Sequence, residues 1–286
     1  MFKKSPLKSS KLQKKKRKIL FFKIGSISTA LIIFVTAASL LSHLDIFEIK
    51  TITVEGNSAV DAEQVQEIAK AHVAGKYYYL FSRANRFLYS KDVIIEDLYT
   101  QFKRIKIVSL NVNKSNLLIT IEEREPAYTW CSGMPGNTQN KCYFIDSNGY
   151  IFSESPVFSG NVFFAFYGDV DNENPIGLTY LNASAFKDID TLITFLNDKK
   201  LHPFAFRSHD NGVYDLYLEQ GGKIIFKEGL DIPLLISNLD LIIKNTQVFK
   251  STGTSKLEYI DFRFGNKLYY KFSGDNALEL ENQPDV

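Results

Sequence analysis

The chain has little of what metal sites and hydrolytic centres are built from. Its 286 residues include two cysteines and four histidines. A structural zinc site needs four such ligands, and no histidine lies near either cysteine in sequence, so zinc is not expected. His202 and His209, seven apart, have no third ligand beside them. The G-x-S-x-G, Walker and Rossmann fingerprints are absent. Ser208-His209-Asp210 contains triad residue types, but adjacent side chains cannot converge as that chemistry requires, so it reads as a surface turn. Asp169-Val170-Asp171-Asn172-Glu173 begins like a calcium loop. The glycine that should fall sixth falls ninth, at Gly177, so this reads as a solvated loop. No catalytic residue, metal, cofactor or small-molecule substrate is expected.

Acidic side chains are missing from the first 44 positions. Residues 1–23 carry ten Lys or Arg, and residues 24–44, IGSISTALIIFVTAASLLSHL, carry no Asp, Glu, Lys or Arg at all. Those 21 residues form a helix of roughly 30 Å at about 1.5 Å per residue, the thickness of a bilayer's hydrocarbon core. Soluble core helices seldom run so long without a polar face. With the positive charge on its N-terminal side, the segment is expected to span a cell membrane once, with the basic tail in the cytoplasm and the rest exported. A cleaved signal peptide has the same order of parts, and Thr36-Ala37-Ala38-Ser39 offers small residues for a peptidase. Its apolar region, however, is usually about 7–15 residues. The basic tail abuts the span without interleaved aromatics, so contact with anionic lipid is a simpler reading than nucleic-acid binding.

Setting aside the ten basic residues of the tail leaves 24 Lys and Arg against 32 Asp and Glu, a net charge of about −8 for the exported part. That balance argues against nucleic acid as its partner. Some 240 residues beyond the span suffice for one large or two ordinary domains. Cys131 and Cys142 both lie on the exported side, around a Gly, Pro and Asn-rich loop. They are either two free thiols or a disulfide, which an outside location permits and which would contribute on the order of 3 kcal/mol.

Past the span, Phe47–Val54 reads as a strand closed by Glu55-Gly56-Asn57. Asp61 is a candidate N-cap, with Gln64 completing a capping box, for a helix carrying Val65, Ile68, Ala69 and Val73. Residues 76–87 form an aromatic and basic connector. Ser90 caps a second helix over 91–102, and two strands, 105–112 and 117–122, close a β-α-α-β-β unit. Beyond it the pattern predicts a hairpin over 143–152 with Asn148-Gly149 at its turn and a strand over 161–167. A helix follows over 183–201, then strands over 215–219 and 223–227. A second helix, 232–249, precedes strands over 257–264 and 267–272. The fold class is α+β: a transmembrane helix, the β-α-α-β-β unit, then a mixed antiparallel sheet domain with packed helices. The expected boundaries are a tail at 1–23, the span at 24–44, domains at 45–124 and 125–272, and an acidic disordered tail at 273–286.

The strand ending Val54-Glu55-Gly56-Asn57, the two helices, and a hairpin closing on Ile119-Thr120-Ile121-Glu122-Glu123-Arg124-Glu125-Pro126-Ala127-Tyr128-Thr129-Trp130 resemble the POTRA domain of the bacterial division proteins FtsQ and DivIB. The hairpin Phe144-Ile145-Asp146-Ser147-Asn148-Gly149-Tyr150-Ile151-Phe152 and the run Tyr259-Ile260-Asp261-Phe262-Arg263-Phe264 are similar to the β domain of the same family. A barrel-forming POTRA protein is not expected, because no tract of repeated amphipathic strands follows. The resemblance implies a non-enzymatic single-pass scaffold of the divisome at the septum, with FtsB/FtsL-like coiled-coil proteins, other division proteins and membrane lipid as partners. By position, the candidate partner-binding residues are Phe264, Asn266, Lys267, Leu268, Tyr269, Tyr270, Lys271 and Phe272. A terminal strand at a sheet edge suits partner-strand addition. The alternative is an anchored POTRA chaperone for secretion or envelope assembly.

Overall fold

A computed structural model describes residues 10–137, 139–170, 174–245, 248–249, 256–265, 267–273 and 278–281. It divides into two compact units, Met1–Glu123 and Arg124–Val286.

The first unit opens with α1, Ser10–Ser42, a single helix of 33 residues that is long and apolar enough to cross a membrane. It begins inside the basic segment, earlier than the apolar pattern alone indicates. Ile27, Leu31, Phe34 and Leu40 are exposed along it. The hydroxyls of Thr29 and Thr36 donate back to the carbonyls of Gly25 and Ile32, at 2.9 and 3.0 Å, so neither is left unpaired in an apolar surrounding.

The remainder of this unit is β1 (Thr51–Glu55), α2 (Ala62–Val73), β2 (Lys76–Tyr77), β3 (Phe81–Ser82), α3 (Lys91–Gln101), β4 (Ile105–Asn113) and β5 (Asn116–Glu123). The main sheet has the order β1-β5-β4, with β1 parallel and β4 antiparallel to β5. Period-two alternation puts Leu117, Ile119 and Ile121 of β5 on one face, where they are buried with Val65 and Ala69 of α2 and Ile94 and Leu98 of α3. Each Val, Leu or Ile among them contributes roughly 1.5–3 kcal/mol on burial. Gly56 turns the chain after β1 at φ +80°, and a Cβ there would lie 2.3 Å from the Ile121 carbonyl oxygen.

Three local expectations are corrected. The strand begins at Thr51, not Phe47; Glu48 instead bridges to Asn85 and accepts from the Ser82 hydroxyl. Asp61 does cap α2, but through the Glu63 N–H and without Gln64. Ser90 makes no capping bond, because its hydroxyl pairs with the Tyr77 hydroxyl.

The second unit contains β6 (Tyr128–Cys131), β7 (Cys142–Ile145), β8 (Ile151–Glu154), β9 (Ala165–Tyr167), α4 (Ala183–Asp198), β10 (Pro203–Ser208), β11 (Val213–Leu218), β12 (Lys223–Lys227), α5 (Ile232–Asn245), β13 (Leu257–Phe264), β14 (Lys267–Phe272) and β15 (Leu278–Glu281). All twelve strands and helices but α4 and α5 belong to one sheet, ordered β15-β14-β13-β12-β11-β10-β9-β6-β7-β8. The pairs β9–β10 and β12–β13 are parallel and are each joined through a helix. Two antiparallel steps, β10 to β11 to β12, give both crossovers the same strand direction, and both move the same way across the sheet. Crossovers of one hand therefore place α4 and α5 on one face. There Phe186, Ile189 and Leu192 of α4 and Leu235 and Leu239 of α5 meet Phe206, Leu216, Ile224, Phe226, Ile260 and Phe262.

Candidate functional site

The predicted partner-binding residues sit on the β13–β14 hairpin. Asn266 lies outside the described residues. Alternation along β14 buries Leu268, 4% exposed, among the core side chains, and Tyr270 packs against the same core. Leu268 is therefore corrected from a contact residue to a core residue: its neighbours fill the space a partner would need. Phe264 stays 54% exposed, with its ring edge-on to Tyr269 at 5.1 Å and the Arg263 guanidinium 5.6 Å from its centroid. Tyr270 and Phe272 form a second edge-on pair at 5.7 Å. Lys267 is exposed, and Lys271 is ion-paired with Glu258 at 3.0 Å.

A second correction concerns the edge itself. The sequence pattern places residues 278–281 in a disordered tail and β14 at the end of the sheet. Instead β15 pairs antiparallel with β14 over four registers, from Lys267↔Glu281 to Tyr270↔Leu278. The sequence Leu278-Glu279-Leu280-Glu281 has the period-two alternation that marks a strand; its acidity and place near the end of the chain obscured that signal.

Behind the hairpin, on the sheet face away from α4 and α5, two carboxylates are buried. Asp261 accepts from the Arg263 backbone N–H at 3.0 Å and from its guanidinium Nε and Nη2 at 2.9 and 2.6 Å. Asp215 accepts from Lys223 Nζ at 2.8 Å and the Tyr217 hydroxyl at 3.3 Å, with His209 Nε2 at 3.1 Å. Burial pushes the Asp215 carboxyl up, but its bonds to Lys223 and His209 outweigh that and hold it below its ordinary value. Charge-assisted bonds of this kind are about twice as strong as neutral ones. They explain how a charged row survives burial on β11, β12 and β13. Asp261 and Arg263 are two apart on one strand, but spacing could not reveal the Asp215 cluster, because Lys223 comes from the neighbouring strand and His209 from the turn before β11.

The structure keeps the triad types apart. The Ser208 hydroxyl pairs with the Tyr180 hydroxyl at 2.8 Å, His209 turns to Asp215, and Asp210 is exposed. His202 is exposed with φ +42°. Of the calcium-like loop, residues 171–173 lie outside the described residues. Among the described residues no group of three His, Cys, Asp or Glu is placed to hold a metal. Cys131 and Cys142 are disulfide-bonded across the β6–β7 pair. Beside them is a cavity of about 450 Å³, lined by Asn137, Asn140, Phe158, Phe163 and Tyr167 among others, with Lys141 and Glu154 as its charged members.

No protein-family model matches this chain, and no curated protein matches its sequence.

Proposed function

We propose that the chain is a non-enzymatic, single-pass scaffold of the bacterial division machinery. In this reading α1 anchors it with the N-terminus in the cytoplasm, and the exported sheet receives an FtsB/FtsL-like partner at the septum. The observation that carries the reading is the end of the large sheet. There a four-residue strand holds the outer edge of β14, next to the exposed Phe264, its edge-on partner Tyr269 and the Asp261–Arg263 bridge. Strand edges accept partner strands, and aromatic and arginine side chains are enriched among the anchors of interfaces. The partner's strand replaces β15. The division of the exported part into a β-α-α-β-β unit and a sheet with two crossover helices supports the family resemblance on which the partner's identity rests.

The test uses the full chain in nanodiscs and an FtsB-like protein from the same cells. Replacing both Phe264 and Tyr269 with Ala should weaken capture by about thirtyfold, as loss of a 2 kcal/mol anchor would. Deleting residues 274–286, which removes β15 but leaves β14, should strengthen capture by about tenfold, since competition worth about 1.4 kcal/mol disappears. Undiminished capture by the double variant refutes the site. A fluorescent fusion at mid-cell supports division, whereas a uniform rim favours the secretion chaperone.

A further inference from the structure

The connector that the proposed function leaves unused is the segment after α2. Its tip is Tyr78-Tyr79, and both residues hold positive φ, +49° and +62°. Left-handed backbone costs a non-glycine residue roughly 1–2 kcal/mol, and burial usually offsets it. Here it does not: Tyr78 is 88% and Tyr79 94% exposed. The backbone is strained in a way that holds two aromatic rings outward.

The place where they are held is fixed by α1. The Leu80 carbonyl accepts from the Ser39 hydroxyl at 2.6 Å and lies 3.1 Å from His43 Nε2. The Ser82 N–H donates to the Ser42 hydroxyl at 3.3 Å, and the buried Asn85 amide donates to the Ser42 carbonyl at 3.1 Å. The connector is thus bonded to the last turn of the helix. Tyr78 and Tyr79 stand within two residues of Leu80, about 7 Å of chain at most. That reach matches the polar layer of a bilayer, roughly 5–7 Å on each side of the hydrocarbon core.

Around the same helix end Leu44, Ile46, Leu80 and Phe87 are also exposed, Ile46 by 70% and Phe87 by 74%. Lys76 is exposed beside them. The Arg83 guanidinium stacks over the Tyr77 ring at 5.0 Å, and its buried Nε has no hydrogen-bond partner among the described residues. Tyrosine is enriched at membrane interfaces because it presents a ring to acyl chains and a hydroxyl to water, and cations beside it meet lipid phosphate.

We infer that the 76–88 segment is a membrane-docking loop that seats Tyr78, Tyr79 and Phe87 in the headgroup layer of the bilayer α1 spans. The inference rests on the reading of α1 as a retained anchor. Docking fixes the first exported unit against the lipid surface and orients it.

The test places the full chain in vesicles of phosphatidylethanolamine and phosphatidylglycerol containing lipids spin-labelled at shallow or deep positions. The native cysteines are bonded to each other, so a thiol-reactive fluorophore reports only an introduced cysteine. Three variants are compared: Leu31→Cys in the helix, Tyr79→Cys at the tip, and Glu55→Cys. The last lies four residues along β1, about 13 Å, beyond Thr51, which follows closely on Ile49, whose N–H bonds to the connector at the Ala84 carbonyl. Tyr79→Cys should be quenched by the shallow label about threefold more than Glu55→Cys, as depth in the headgroup layer requires. Leu31→Cys should respond to the deep label. If Leu31→Cys responds and Tyr79→Cys matches Glu55→Cys, the docking loop is refuted and the anchor stands. If Leu31→Cys fails to respond, anchor and loop fall together.

Discussion

The two main sheets treat the face that their helices leave open in opposite ways. In the first unit that face is Thr51, Thr53 and Glu55 of β1, Thr120 and Glu122 of β5, and Ser109 and Asn111 of β4, all exposed. It is a solvated and mostly polar surface, with Ile107 and Leu118 as its apolar members. In the second unit the corresponding face carries Asp215 and Asp261, 4% and 3% exposed, among Tyr217, Tyr259, Lys223 and Arg263. The first unit does bury one carboxylate, but in its backbone. Glu123 accepts from the N–H groups of Ser58, Ala59 and Val60 at 2.6–2.9 Å and from Arg104 Nε at 3.0 Å. There a carboxylate closes a turn, whereas on the second sheet carboxylates hold arginine and lysine in set positions on a surface. One arrangement serves the fold alone, and the other also furnishes a surface.

The strongest challenge to this contrast is Arg263→Ala. It leaves Asp261 buried with its guanidinium partner gone, which should cost about 3 kcal/mol, the lower end for a broken buried pair because Arg263 is a third open to water. Hydrogen exchange along β13 should rise accordingly, and adding Asp261→Asn should recover much of the loss. If Arg263→Ala is silent, the bridge is not structural.

Next is Glu123→Gln, expected to cost about 1.5–3 kcal/mol by weakening bonds to a charged acceptor. The acid response follows from the same group. Burial pushes the Glu123 carboxyl up, but the N–H groups of Ser58, Val60 and Ala59 and the Arg104 guanidinium outweigh it and hold it below its ordinary value. A folded-state value below the unfolded one means that its stabilisation is present above the unfolded value, about pH 4, and fades as pH falls through the folded value. Asp215 behaves likewise. Urea unfolding should therefore show an acid limb below about pH 4 that Glu123→Gln shrinks in the first unit and Asp215→Asn shrinks in the second.

The smallest effect is expected of Ser109→Ala on the solvated face, within about 0.5 kcal/mol of no change. A larger loss in the same urea measurement would show that this face, too, is doing more than meeting water.

Much of the architecture was legible because burial imposes a period. Leu117, Ile119 and Ile121 alternate as a strand with one buried face must, and Phe186, Ile189, Leu192, Ile193 and Leu196 recur as one face of a helix must. β10 opens on Pro203 and has no exposed position on either face, which erases the alternation that marks a strand in sequence. Phe47–Lys50 has the alternation of a strand, but its backbone pairs with the connector, Arg86 N–H to the Phe47 carbonyl and Ile49 N–H to the Ala84 carbonyl at 2.8 Å each, instead of extending β1. The candidate site was half legible. The hairpin that carries Phe264 and Tyr269 was readable from its two strands and turn, whereas the core position of Leu268 depended on register, and the Asp215 cluster on the pairing of β11 with β12.

The register of β15 has a kinetic consequence. β14 runs six residues, from Lys267 to Phe272, yet the described ladder with β15 stops at Tyr270. Over its four described registers this outermost ladder is short, and local opening reaches it before the interior of the sheet, so the amides it protects should exchange ahead of those of β12 and β13.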